Sequence, residues 1–90
     1  MREIVYSNKF VKDLKRLLKR GLDESILLEV INMLANDEKL PERCSPHKLS
    51  GAYAGLWECH IKPDILLIYE YSFDNKELFI RRTGSHSDLF

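Results

Sequence analysis

The chain holds three histidines, His47, His60 and His86, all in its second half. An imidazole titrates near neutrality and can act there as general base or general acid. Arg82 adds a permanent, fork-shaped cation matched to phosphate. Asp64 adds a carboxylate able to orient a neighbouring imidazole. Attack of a ribose 2′-OH on its own phosphodiester would use all of these. That reaction needs a base on the nucleophile, an acid on the departing 5′-oxygen and a cation on the phosphorane-like transition state. Because the 2′-OH is itself the nucleophile, the chemistry calls for no metal or cofactor. A zinc site built from the same histidines is the rival use, though no helix-borne pair of ligands accompanies them.

These side chains must be brought together by the elements around them. Arg2 to Tyr6 is β-prone. Ser7 is a good N-cap for a helix whose apolar face is Phe10, Val11, Leu14, Leu17 and Leu18. Gly21 stops it. Asp23 caps a second helix carrying Ile26, Leu27, Val30, Ile31 and Leu34, fading near Asn36. Residues 37–54 read as irregular, broken by Pro41, Pro46 and Gly51. Leu56 to Ile61 is an alternating strand, with Trp57, Cys59 and Ile61 on one face and Leu56, Glu58 and His60 on the other. Lys62-Pro63-Asp64 turns into Ile65–Tyr71, an apolar run suited to a central strand. A second turn at 73–76 leads to the last strand, Glu77–Arg82, and a tail with no further regular structure.

The expected fold is α+β in the order β-α-α-β-β-β, an antiparallel sheet with a two-helix hairpin on one face, in a single domain spanning residues 1–90. The first strand joins the edge of the meander. Two reversals of direction bring the end of the Leu56–Ile61 strand and the end of the last strand to one sheet edge. His60, Asp64, Arg82 and His86 can converge there, whereas His47 joins them only if its loop folds over. Trp57 suits the core or a stacked base. Phe90, an aromatic at the terminus, must pack or stack.

Ninety residues support one core of modest size, burying about 60–65% of the unfolded surface. No apolar run approaches the ~20 residues of a bilayer span, and no signal-like segment opens the chain, so a cytoplasmic location is expected without membrane contact. Cys44 and Cys59 read as reduced thiols, Cys59 half buried in its strand, with a disulfide or metal site as the alternatives. Formal net charge is zero, which argues against nucleic-acid binding by bulk charge alone. The distribution is uneven. Residues 1–20 carry seven basic and two acidic side chains, and residues 21–42 carry one basic and six acidic. This suggests paired helices with complementary faces, or a basic face for an anionic partner.

Three segments carry a resemblance: His47-Lys48-Leu49-Ser50-Gly51, Glu58-Cys59-His60-Ile61-Lys62-Pro63-Asp64, and Arg82-Thr83-Gly84-Ser85-His86. In this order, with the closing Leu89-Phe90, they resemble the YafQ branch of the RelE superfamily, toxins of bacterial type II toxin–antitoxin systems. The likeness covers essentially the whole chain. It implies a RelE-like fold, metal-independent cleavage of mRNA, commonly on the ribosome, and silencing by a cognate antitoxin, with operator DNA bound only through the antitoxin complex. Family active-site positions fall on His47, His60, Asp64, Arg82, His86 and Phe90. His86 would be the principal acid–base residue, His47 or His60 its counterpart, Arg82 the phosphate cation and Asp64 the orienting group. Phe90, with Arg81, Lys48 and Lys62, would contact RNA. Some family members carry an aromatic after the aspartate where this chain has Ile65, a difference bearing on base preference. The neutral charge makes the basic stretch Lys9–Arg20 more important for docking. The alternatives are a gyrase-directed toxin of the ParE branch, for which no histidine constellation is expected, and a non-catalytic antitoxin- and operator-binding module.

Overall fold

The computed structural model describes residues 1–90. Its elements are β1 (Glu3–Tyr6), α1 (Asn8–Lys19), α2 (Glu24–Ala35), β2 (His47–Lys48), β3 (Trp57–Lys62), β4 (Ile65–Tyr71), β5 (Glu77–Gly84) and α3 (His86–Leu89). The expected α+β order is present with two corrections. A short strand, β2, lies inside the stretch read as irregular, and the tail read as unstructured holds α3. Neither is long enough to leave a hydrophobic period in the sequence.

The strands form one sheet in the order β1-β5-β4-β3-β2. Strands β3, β4 and β5 make the antiparallel meander, and β1 runs parallel to β5, from Glu3 opposite Glu77 to Tyr6 opposite Ile80. Ser7 ends β1 and starts α1. Its Oγ accepts from the Phe10 N–H at 3.0 Å and donates to the Arg81 carbonyl at 2.7 Å. Helix α1 therefore lies beside the second half of β5, continuing the edge that β1 occupies along the first half. It ends in a Schellman closure, with Leu22 N–H on the Leu17 carbonyl and Gly21 N–H on the Leu18 carbonyl. Gly21 supplies the positive φ of 95° that this closure requires.

The main core joins Phe10 of α1 and Leu27, Val30, Ile31, Leu34 and Ala35 of α2 to Cys59, Ile61, Leu67, Tyr69, Leu78 and Ile80 of the sheet. Each such large apolar side chain, fully buried, stabilises the fold by about 1.5–3 kcal/mol. Strand β4 is central, with Leu66, Leu67, Ile68 and Tyr69 all buried. Cys59 is fully buried rather than half buried, because its side of β3 faces this core; both cysteines are free thiols.

The apolar face of α1 is narrower than its spacing suggested. Val11 and Leu18 stay 41% and 38% exposed, while Phe10 and Leu17 are buried. A helix lying along a sheet edge has only a thin strip to bury. Nor do the basic and acidic helices pair, since no ion pair joins α1 to α2; Arg16 and Arg20 instead face Asp13 and Asp88. No helix is long and apolar enough to cross a membrane.

Candidate active site

Alternation along β3 sends Cys59 and Ile61 into the core and turns Glu58 and His60 to the other face of the sheet. There, Glu58, His60, Asp64, Leu66, His86 and Phe90 help to line one open hollow of about 770 Å³. That is the size range of ordinary ligand pockets. Of the four residues that the meander geometry was expected to bring together, the hollow gathers His60, Asp64 and His86 but not Arg82, and it adds Phe90. One nitrogen of His60, Nδ1, is buried without a hydrogen-bond partner, an unusual state for a buried polar atom.

His47 arrives by the strand that the sequence did not reveal. The pairing of β2 with β3 sets His47 opposite Glu58, with Nε2 3.3 Å from Glu58 Oε1 and Nδ1 3.0 Å from the Ser45 carbonyl. Both partners are acceptors, so the ring can donate to both when cationic. Glu58 itself is only 8% exposed. It thereby links His47 to the hollow, a role that sequence reading missed, although its place two residues before His60 put it on the same strand face.

His86 opens α3, and its ring lies 5.0 Å from that of Phe90. Phe90 also meets Tyr53 edge-on, with centroids 5.3 Å apart and an interplanar angle of 80°. The terminal aromatic thus packs on one side and stays 47% exposed. Tyr53, in a short turn of the connecting loop, is a second residue that the sequence did not single out.

Arg82 does not join the hollow that His60 and His86 share. A β-bulge shifts the register between Ile68–Arg82 and Tyr69–Ile80. Without it, Arg82 would follow Ile80 into the core two residues on. With it, Arg81 and Arg82 both line a neighbouring hollow with Tyr53 and Ile68. The Arg82 guanidinium donates to Asp13 of α1, Nε to Oδ2 at 2.6 Å and Nη2 to Oδ1 at 3.1 Å. That hydrogen bond raises the arginine pKa above its ordinary value. The same carboxylate accepts the Thr83 N–H at 3.2 Å, so Asp13 satisfies β5 where β1 has ended. Sequence reading passed over Asp13, although an acid on the Phe10–Leu17 stripe of a basic helix is a signal that could have found it.

The other expected RNA contacts are scattered. Arg81 pairs with Glu70 at 2.9 Å and lies over the Phe79 ring. Lys48 stands over Trp57, whose own packing is against the core. Lys62 lines a small cleft with Arg20 and Asp64. No three His, Cys, Asp or Glu side chains are grouped so as to hold a metal ion.

Comparison with known proteins agrees with this fold. Residues 2–90 match the family model of the YafQ bacterial toxin of type II toxin–antitoxin systems. The mRNA interferase toxin YafQ of Escherichia coli K12 is 37% identical over 90 residues, spanning 99% of this chain and 96% of the relative. A metal-bound toxin from Helicobacter pylori superposes with a TM-score of 0.94 at 43% identity, covering 100% of both chains. YafQ in the E. coli DinJ–YafQ complex gives 0.88 at 36% identity, covering 100% of this chain and 99% of that one. A match running from the first strand to Phe90 leaves no element outside it, and the chain belongs to the YafQ family of type II toxin–antitoxin toxins.

Proposed function

We propose that this chain is an endoribonuclease that cleaves mRNA and is silenced by a cognate antitoxin, as the E. coli relative's name and its complex with DinJ suggest. The observation that carries the reading is the shared hollow: two imidazoles, His60 and His86, with Asp64, Glu58 and the Phe90 ring around one opening. His86, the more exposed of the two imidazoles, is the principal acid–base residue. His60 is its counterpart, and His47 acts through Glu58. Phe90 stacks on a base, and Asp64 orients an imidazole or the ribose.

Arg82 contributes differently from a free phosphate clamp. With Lys9, Lys12 and Arg16 it lines a cleft whose one acid is Asp13. Four cations against one carboxylate leave that cleft attractive to the RNA backbone. The neutral chain therefore docks through a local basic surface, on mRNA held by the ribosome in the cytoplasm. Operator DNA is reached only through the antitoxin.

Primer extension on mRNA from cells expressing wild type or His86→Ala tests this reading. New cut sites in the first and none in the second are expected. Toxicity with intact transcripts would point instead to a protein target.

A further inference from the structure

In the proposed reading, His86 and Phe90 both depend on α3, a helix of four residues. One turn has no stability of its own, so its orientation must be imposed from outside. The capping box closes the turn upon itself. Ser85 Oγ accepts from the Asp88 N–H at 3.2 Å, and Asp88 Oδ2 accepts from the Ser85 N–H at 2.9 Å. That makes the turn without aiming it.

The aim comes from α1. The carboxylate of Asp88 also accepts from Arg20, at 2.8 Å from Nη1 and 3.2 Å from Nη2, with Arg16 3.8 Å away. Arg20 is the C-cap of α1, its N–H engaged by the carbonyls of Arg16 and Leu17. Its guanidinium therefore projects from the fixed end of a helix held along β5. On the other side, a Cβ at Gly84 would stand 2.9 Å from the Asp88 Cβ. The turn is thus held between the end of β5 and the end of α1.

We infer that Arg20 and Asp88 are positioning residues for catalysis: their ion pair fixes α3 so that His86 and Phe90 face the hollow. Neither need touch the reacting atoms. The inference rests on His86 being the acid–base residue. Arg20 also lines a cleft with Lys62, so the competing role is RNA binding, and kinetics separate the two. Loss of positioning lowers kcat, whereas loss of a binding contact raises KM.

The test combines cleavage kinetics on an RNA oligonucleotide with NMR of the His86 ring protons, which the Phe90 ring displaces. For Arg20→Ala and Asp88→Asn we expect kcat to fall about 10- to 100-fold, with KM changed by less than about 2-fold. The double variant should be no worse than either single one. The His86 resonances should move toward those of Phe90→Ala, and Arg20→Lys should recover most of the activity. Unchanged kcat and His86 shifts, beside an inactive His86→Ala, would overturn the clamp and leave the catalytic reading intact. A rise in KM alone would also overturn it. An active His86→Ala would bring down the catalytic reading itself, and the inference with it.

Discussion

Asp13 and Arg82, 69 residues apart in sequence, meet in a two-pronged ion pair of 2.6 and 3.1 Å. The side chain of Asp13 is 3% exposed and that of Arg82 is 30% exposed. Removing the acid strands a partly buried cation and leaves the Thr83 N–H without its acceptor. Because Arg82 keeps contact with water, Asp13→Ala should destabilise by about 2–3 kcal/mol, read by urea denaturation. A change below about 0.5 kcal/mol, the range of an ordinary surface substitution, would show that the pair is not structural.

Gly84 faces Asp88 too closely for any side chain, with a hypothetical Cβ 2.9 Å from the Asp88 Cβ at φ +155°. Gly84→Ala should push α3 off β5. Cleavage should fall by about 100-fold, the scale of a small displacement of catalytic groups, while the main core keeps its packing. Near-ultraviolet circular dichroism and rate measurements on the same sample check this. A fully active variant would show that α3 tolerates displacement.

The hydrogen bond from Arg20, followed by those from Ser85, holds the Asp88 carboxyl well below the usual carboxylate range. A depressed folded-state pKa contributes stability above the unfolded value and loses it as pH falls toward the folded one. The stability difference between wild type and Asp88→Asn should therefore be constant between about pH 5 and 7 and narrow below about pH 4. Denaturation curves across that range would contradict the account if the difference widened with acid.

Burial pushes the Cys59 thiol up to about 12, with smaller contributions from Cys44 and Glu58. The thiolate is the reactive form, so native protein at pH 8 should leave Cys59 unmodified by a thiol reagent. Guanidinium should then expose both free cysteines. Rapid labelling of Cys59 in the folded protein would show that its part of the core opens.

How far the sequence carries depends on length of signal. The helices and β3–β5 are long enough for apolar spacing to declare them, and alternation along β3 already separated His60 from Cys59. The pieces that complete the site are too short for any period. Strand β2 spans two residues and α3 four, yet they deliver His47 to Glu58 and His86 to the hollow. Local cues did exist for α3, since Ser85 and Asp88 have capping-box spacing. The bulge that turns Arg82 away from the core left no cue at all. Without it, the pairing of Arg82 with Asp13 could not be foreseen, and a free phosphate-binding arginine was the natural expectation.

The proposed reaction is cleavage by internal 2′-OH attack under histidine acid–base control. It is tested most directly with purified protein on two RNA oligonucleotides, one all-ribose and one with a single 2′-deoxy residue at the cut position. Wild type should cut the first, leaving a 2′,3′-cyclic phosphate, and spare the second. His86→Ala should cut the first at least about 100-fold more slowly, the usual scale of an acid–base contribution. Equal cleavage of both oligonucleotides, or an undiminished rate in His86→Ala, would contradict the account.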